Sequence, residues 1–459
     1  AQASYKQSIA LRRDYAESHN NLGNTLHQLG KYEEAVISFM KAISLNNNYY
    51  QAHFNLGNSL QKLNKIDEAE SEYKKAIALK SDYLMAYNNL GLILKDKGKL
   101  DEAESYLIQA IQIKPEFAEL HNNIGNVFKR LGKLNDAEEA FRTSIKLEPD
   151  NFQSIFNLST LLNQMNRGSQ SRQLLEKNLK KFNGNFALMA MVELAISSFL
   201  NDDLIKSKKY LSESKELEKM INIELKNYHV YWNYLNKLIY ENNPRITRKN
   251  NSNSIKQIFV IGESHSLVSH RLNIRFMDDD FECKSILTKG CKQWDLASNK
   301  RNHYKFKFES IFKELEKSSW ILLAIGEIDC RLDSGIMKHK KKFPKKKTKD
   351  IINHTIDNYL NYLQNINSKY EHNIVIQGVP CPNIKTRNIS KSNKLELIKL
   401  IKDFNIALRK KSIKNGFSFL DVYKLTDRGD GFSNQKWHID QYHLSTYGMQ
   451  KAWQKYYLT

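Results

Sequence analysis

Proline is scarce in this chain, with 6 among 459 residues, and cysteine is scarcer at 4. So little proline excludes collagen-like and proline-rich architectures. Cys283, Cys291, Cys330 and Cys381 all fall in the C-terminal half without Cys-x-x-Cys spacing, which argues against zinc ribbons and disulfide-dense scaffolds. They read as reduced, mostly buried thiols, with a Cys283–Cys291 bridge as the alternative in an oxidising compartment. His265, His270, His438 and His443 are too dispersed for a metal site, and no cofactor is called for. No uncharged stretch approaches the roughly 18 apolar residues of a spanning helix. Acidic residues are also in deficit, 50 against 71 basic ones, for a net charge of +21. Residues 1–150 carry 19 basic and 20 acidic side chains, leaving 52 and 30 for the remainder, so the excess belongs to the later part. A field of that sign favours anionic partners. No nucleic-acid motif accompanies it, which ranks nucleic acid last.

What the chain has in abundance is internal repetition. Leu22, Leu56, Leu90, Ile124 and Leu158 recur every 34 residues, Gly23, Gly57, Gly91 and Gly125 follow them, and Ala35, Ala69, Ala103 and Ala137 keep the same period. Small residues at fixed places let two helices approach closely, and Pro115 and Pro149 mark helix ends. The pattern resembles tetratricopeptide repeats over residues 1–184 and implies an all-α solenoid of stacked helical hairpins with a concave face for a peptide or protein.

Asn21, Asn55, Asn89, Asn123 and Asn157 form one further column. Asparagine is a mediocre helix former, so five at one register need a reason. On the inner helices their amides can donate to and accept from a peptide backbone, an arrangement similar to the asparagine ladder of O-GlcNAc transferases. The alternative is a generic repeat position, solvated or bonded between neighbouring helices. Nothing after residue 250 looks like the sugar-nucleotide domain of those transferases, so only the recognition mode carries over.

The period decays over residues 185–241, which read as degenerate capping helices; the aromatic group Tyr228, Tyr231, Trp232 and Tyr234 reads as packing between domains. Residues 242–254, with Pro244 and repeated Asn and Ser, read as a linker. From 255 to 459 strand and helix signals alternate. Strands are predicted over 258–261, 281–286, 320–325, 374–378 and 417–420, with helices over 306–315, 351–366 and 394–411 between them. Such alternation implies a parallel sheet with helices on its faces and reactive groups at the carboxyl ends of strands.

Two stretches in that domain carry chemistry. Ile258-Phe259-Val260-Ile261-Gly262 reads as a buried strand entering a tight turn, with Ser264 where helical spacing begins. A serine there either exposes its hydroxyl beside helix N-terminal amides, as a nucleophile requires, or merely caps the helix. Near the other end, Asp440 and His443 lie close enough for one loop to hold both, the carboxylate orienting an imidazole that takes the serine proton.

On these residues the domain resembles the SGNH, or GDSL-like, hydrolases, over residues 255–459. Gly262-Glu263-Ser264-His265-Ser266 looks like their first block, with Glu263 in place of aspartate, and Asp440-Gln441-Tyr442-His443 like their last. The resemblance implies a three-layer α/β domain and a serine hydrolase of carboxylic esters, or an acyltransferase using the same triad. It makes Ser264 the nucleophile, His443 the base and Asp440 its orienter, and has the amides of Ser264 and Gly290 bind the oxyanion. Glu263, His265, Glu327 and Arg331 stand as possible neighbours of the reacting atoms. The third block departs from the family's Gly-x-Asn-Asp: Gly326-Glu327-Ile328-Asp329 puts isoleucine where a donor belongs. Losing one such donor costs about a hundred- to a thousand-fold in turnover. Arg331 either substitutes or pairs with Asp329 or Glu327. The rival expectation is therefore a catalytically impaired binding or scaffold protein.

Lys338 to Lys349, with eight lysines, reads as a solvated loop or as an arm that attracts an anionic substrate. A cytoplasmic setting is expected, and because the chain starts inside a repeat its natural beginning is expected to be missing.

Overall fold

Five helices begin 34 residues apart, at Ala16, Tyr50, Leu84, Ala118 and Phe152. The computed structural model describes residues 15–219, 226–241, 255–277, 279–299, 302–331, 334–382, 390–438 and 443–458. It divides into two compact units, Ala1–Leu161 and Leu162–Thr459. The linker predicted over 242–254 lies outside the described residues.

In the first unit each repeat is a pair of helices, Tyr50–Lys62 with Ile66–Leu79 for example. The reason for the periodic glycine is steric. A Cβ on Gly57 would come within 2.7 Å of the Tyr73 ring, and Phe39, Leu107 and Phe141 sit equally close to Gly23, Gly91 and Gly125. Each of these four glycines is thus the socket for a bulky side chain of the paired helix, while Ala35, Ala69, Ala103 and Ala137 are fully buried. Apolar side chains from successive pairs merge into one continuous core running through Leu22, Leu56, Leu90 and Ile124, as repeat stacking requires.

The asparagine column joins one repeat to the next. Asn55 donates to Asn20 Oδ1 at 3.0 Å, Asn89 to Asn58 at 2.9 Å, Asn123 to Asn88 at 2.8 Å and Asn157 to Asn122 at 2.8 Å. Of the two roles open to these amides, the structure engages their nitrogens in the bond between neighbouring helices. Asn123→Ala is expected to lower stability by about 1–3 kcal/mol, because it leaves the Asn88 oxygen buried and without this donor. A urea midpoint unchanged from wild type would show the bond to be dispensable.

The second unit begins with helices Gly168–Asn178, Gly184–Leu200 and Leu204–Glu213, and includes Lys226–Asn236, which runs into a wider turn at Lys237–Glu241. Seven strands follow: β1 Lys256–Gly262, β2 Asn273–Phe276, β3 Asp279–Leu287, β4 Trp320–Ala324, β5 Asn373–Gln377, β6 Ser418–Leu420 and β7 Tyr457–Leu458. Their order is β2-β3-β1-β4-β5-β6-β7. The five central strands are parallel, whereas β2 and β7 pair antiparallel at the edges. The expected parallel sheet is therefore only the middle of a mixed one. Helices His303–Glu314, Thr348–Asn367 and Lys391–Lys414 connect the later strands, and Phe308, Phe312, Ile321, Leu323, Tyr359, Phe404 and Phe419 share one core.

Because β1 has β3 on one side and β4 on the other, the chain reverses its direction across the sheet at β1. Loops leaving β1, β3 and β4 consequently meet at their carboxyl ends, where α/β sheets open a crevice. The lysine run, expected as a loop, instead forms the end of helix Gly335–Lys342, a short turn, and the start of Thr348–Asn367. Ile336 and Met337 are buried and anchor the first of these helices despite the charge that follows.

Candidate active site

Each of the three loops supplies part of one cluster. After β1, Glu263 caps a 3-10 turn, Ser264–Ser269, that places Ser264 at its first position. His443 Nε2 lies 2.7 Å from Ser264 Oγ, so two residues 179 positions apart in sequence touch. Asp440 lies outside the described residues. The His265 ring packs against that of His443 with centroids 4.7 Å apart. Tyr234, from helix Lys226–Asn236, also stacks on His443, at 4.0 Å and 23°. Ser264 is 4% exposed and His443 2%; this centre is covered.

The two amides assigned to an oxyanion are also brought together, but they face a side chain of the chain itself. Ser264 N–H donates to Glu263 Oε2 at 2.7 Å, and Gly290 N–H donates to Glu263 Oε1. Gly290 follows β3 with φ +73°, a conformation suited to glycine, and a Cβ there would meet the Tyr304 hydroxyl at 2.8 Å. Burial pushes the Glu263 carboxyl up, yet the amides of Ser264 and Gly290, followed by the Tyr231 and Ser264 hydroxyls, together outweigh it and the net shift is downward. Glu263 is held as a carboxylate. Tyr231, 8% exposed, lies near that carboxylate; burial first, and the Glu263 charge second, push the phenol well up. That hydroxyl interacts with Glu263 but meets no partner at good hydrogen-bond geometry among the described residues.

Sequence reasoning placed Tyr231 and Tyr234 in packing between domains and gave them no part in the site. Nothing local distinguishes them, since their position depends on a helix docking beside strands much later in the chain. Lys289, next to Gly290, helps hold that arrangement: it pairs with the buried Glu193 and lies 4.9 Å from the Tyr231 ring centroid.

The third loop, after β4, is tied to the second by Asp329. Its buried carboxylate accepts from the amides of Gln293 at 2.8 Å and Trp294 at 3.2 Å. Burial pushes the Asp329 carboxyl up to about 7 against the pull of those two amides. Ile328 has no side-chain donor to offer. Arg331 is drawn to Glu327, with bonds of 2.9 and 2.7 Å, so of the two expectations for it the structure gives the carboxylate pair. All four cysteines are buried thiols outside any disulfide. No cluster of potential metal ligands occurs among the described residues, and none of their helices is long and apolar enough to cross a membrane.

Comparison with known proteins identifies the first unit. Models described as TPR repeat match residues 23–64, 57–98 and 91–132, and models described as tetratricopeptide repeat match 4–37 and 118–151. Residues 4–151 are thus tetratricopeptide repeats, which serve protein–protein interaction and scaffolding. Among solved structures, the chain is similar to PilF of Pseudomonas aeruginosa, at 23% identity over 48% of this chain and 98% of that one, with a TM-score of 0.41. It is also similar to YrrB, described as a TPR protein with an unusual peptide-binding site, at 20% identity over 41% and 98%, TM-score 0.36. MamA follows at 27% identity over 32% and 86%, TM-score 0.30. No curated protein matches the chain.

Proposed function

We propose that the chain is a protein-binding scaffold whose C-terminal unit is an SGNH-like acyl-ester centre of restrained activity. The observation that carries the catalytic part is the 2.7 Å separation of His443 Nε2 and Ser264 Oγ, within the reach a general base needs. Ser264 Oγ attacks an ester carbonyl carbon as His443 takes its proton. The ester C–O bond then breaks and His443 returns the proton to the leaving oxygen. The acyl group stays on Ser264 until water, or a hydroxyl of the bound partner, accepts it through the same imidazole. Asp440 orients His443 in this reading. The repeats hold a polypeptide on their concave face, and the lysines of 338–349 favour an anionic substrate.

Ile328 and Glu263 favour a second reading, in which the fold persists as a binding module after catalysis is lost. A fluorophosphonate probe separates the two. Labelling of the full chain that disappears in Ser264→Ala supports the serine centre. Absence of labelling at every pH, both in wild type and after Glu263 is replaced, leaves the scaffold alone.

A further inference from the structure

The Glu263 carboxylate carries the charge, though not the tetrahedral shape, of the oxyanion that the serine chemistry would generate, and one backbone amide donates to each of its two oxygens. Donors of that kind stabilise an oxyanion only if the position is open when charge develops there. Here it is filled. A third polar group lies close to the same place: Tyr231 is more than nine-tenths buried, its hydroxyl interacts with Glu263, and it has no hydrogen bond of good geometry among the described residues. A phenol is a donor of the type that Ile328 fails to provide.

We infer that the amides of Ser264 and Gly290 together with the Tyr231 hydroxyl form a three-donor anion cradle whose internal occupant is the Glu263 carboxylate, so that a substrate's oxyanion enters only as that carboxylate leaves. The inference rests on the serine-centre reading for its catalytic meaning, but the cradle is defined by its donors alone. Its ligand class is a small carboxylate or the tetrahedral oxyanion of an acyl ester. Tyr231 belongs to helix Lys226–Asn236, whose Tyr234 stacks on His443; movement of that helix would free the imidazole and withdraw the third donor together.

The test uses the full chain as wild type, Glu263→Ala and the isosteric Glu263→Gln, with thermal melting to establish that each is folded. Formate is titrated while the backbone amide resonances of Ser264 and Gly290 are followed. Formate is expected to shift both amides in Glu263→Ala and to leave both unmoved in wild type, with Tyr231→Phe added to Glu263→Ala weakening formate binding about ten-fold, the loss of one hydrogen bond to a charge. Glu263→Gln keeps the volume but offers one amide a competing donor, and is expected to admit formate at intermediate strength. Equal response of wild type and both variants, or response in none, overturns the proposal. Fluorophosphonate labelling of the same proteins is read separately. A rise of about a hundred-fold in Glu263→Ala, the scale of regaining an oxyanion donor, supports both readings. Formate binding without labelling keeps the cradle and removes the serine chemistry.

Discussion

Replacing His443 by alanine is expected to slow phosphonylation of Ser264 by about a hundred- to ten-thousand-fold, the range that a positioned general base contributes. The expectation follows from contact and from enclosure. With Ser264 4% exposed and its hydroxyl 2.7 Å from the imidazole, bulk water is poorly placed to take the proton instead. The loss should appear in the rate constant for labelling measured with saturating probe, and added imidazole should restore part of it if the emptied space admits the free base. His265→Ala supplies the comparison, since its ring lies against that of His443 while the 2.7 Å contact with Ser264 Oγ is made by His443. A large loss in His265→Ala with His443→Ala unaffected would move the base to the other histidine and break the assignment.

The second large effect comes from backbone packing. Gly262 pairs with Ala324 across β1 and β4, and a Cβ on Gly262 would sit 2.5 Å from the Ala324 carbonyl oxygen and 2.9 Å from its Cβ. Neither neighbour is the free end of a flexible side chain, so relief demands that the strands move. Gly262→Val is therefore expected to cost about 1–3 kcal/mol through overpacking, read as a lower denaturant midpoint for the second unit. Ser264 is two residues further on. Displacement of its hydroxyl by about 1 Å is enough to lose roughly a hundred-fold in reactivity, so labelling should fall in protein that remains folded. A variant that melts as wild type does and labels at the same rate would mean that β1 and β4 separate at no cost, contrary to the packing described.

Legibility in the sequence differed sharply between the two units, for a physical reason. Tetratricopeptide stacking is local: the glycine socket, the bulky side chain that fills it and the alanine beside it lie within one repeat, and the next repeat applies the same rule. The central strands were legible because burial on both faces leaves uninterrupted apolar runs such as Ile258 to Ile261 and Ile321 to Leu323. The short antiparallel edges, β2 and β7, have no such run. The lysine stretch reads as a loop because its charge density outweighs the two apolar residues, Ile336 and Met337, that anchor its helix.

By itself the sequence determined the repeat architecture, the central strand segments, and the candidacy of Ser264, His443 and Gly290. Tertiary structure decided how the candidates face one another. That Glu263 turns back onto the amides of Ser264 and Gly290, that Tyr231 lies near the same carboxylate, that Tyr234 stacks on His443 and that the asparagine amides link repeats are all outcomes of packing between elements distant in the chain. Residue spacing constrains what is near along a helix or strand; only packing settles which polar group meets which donor once both are removed from water.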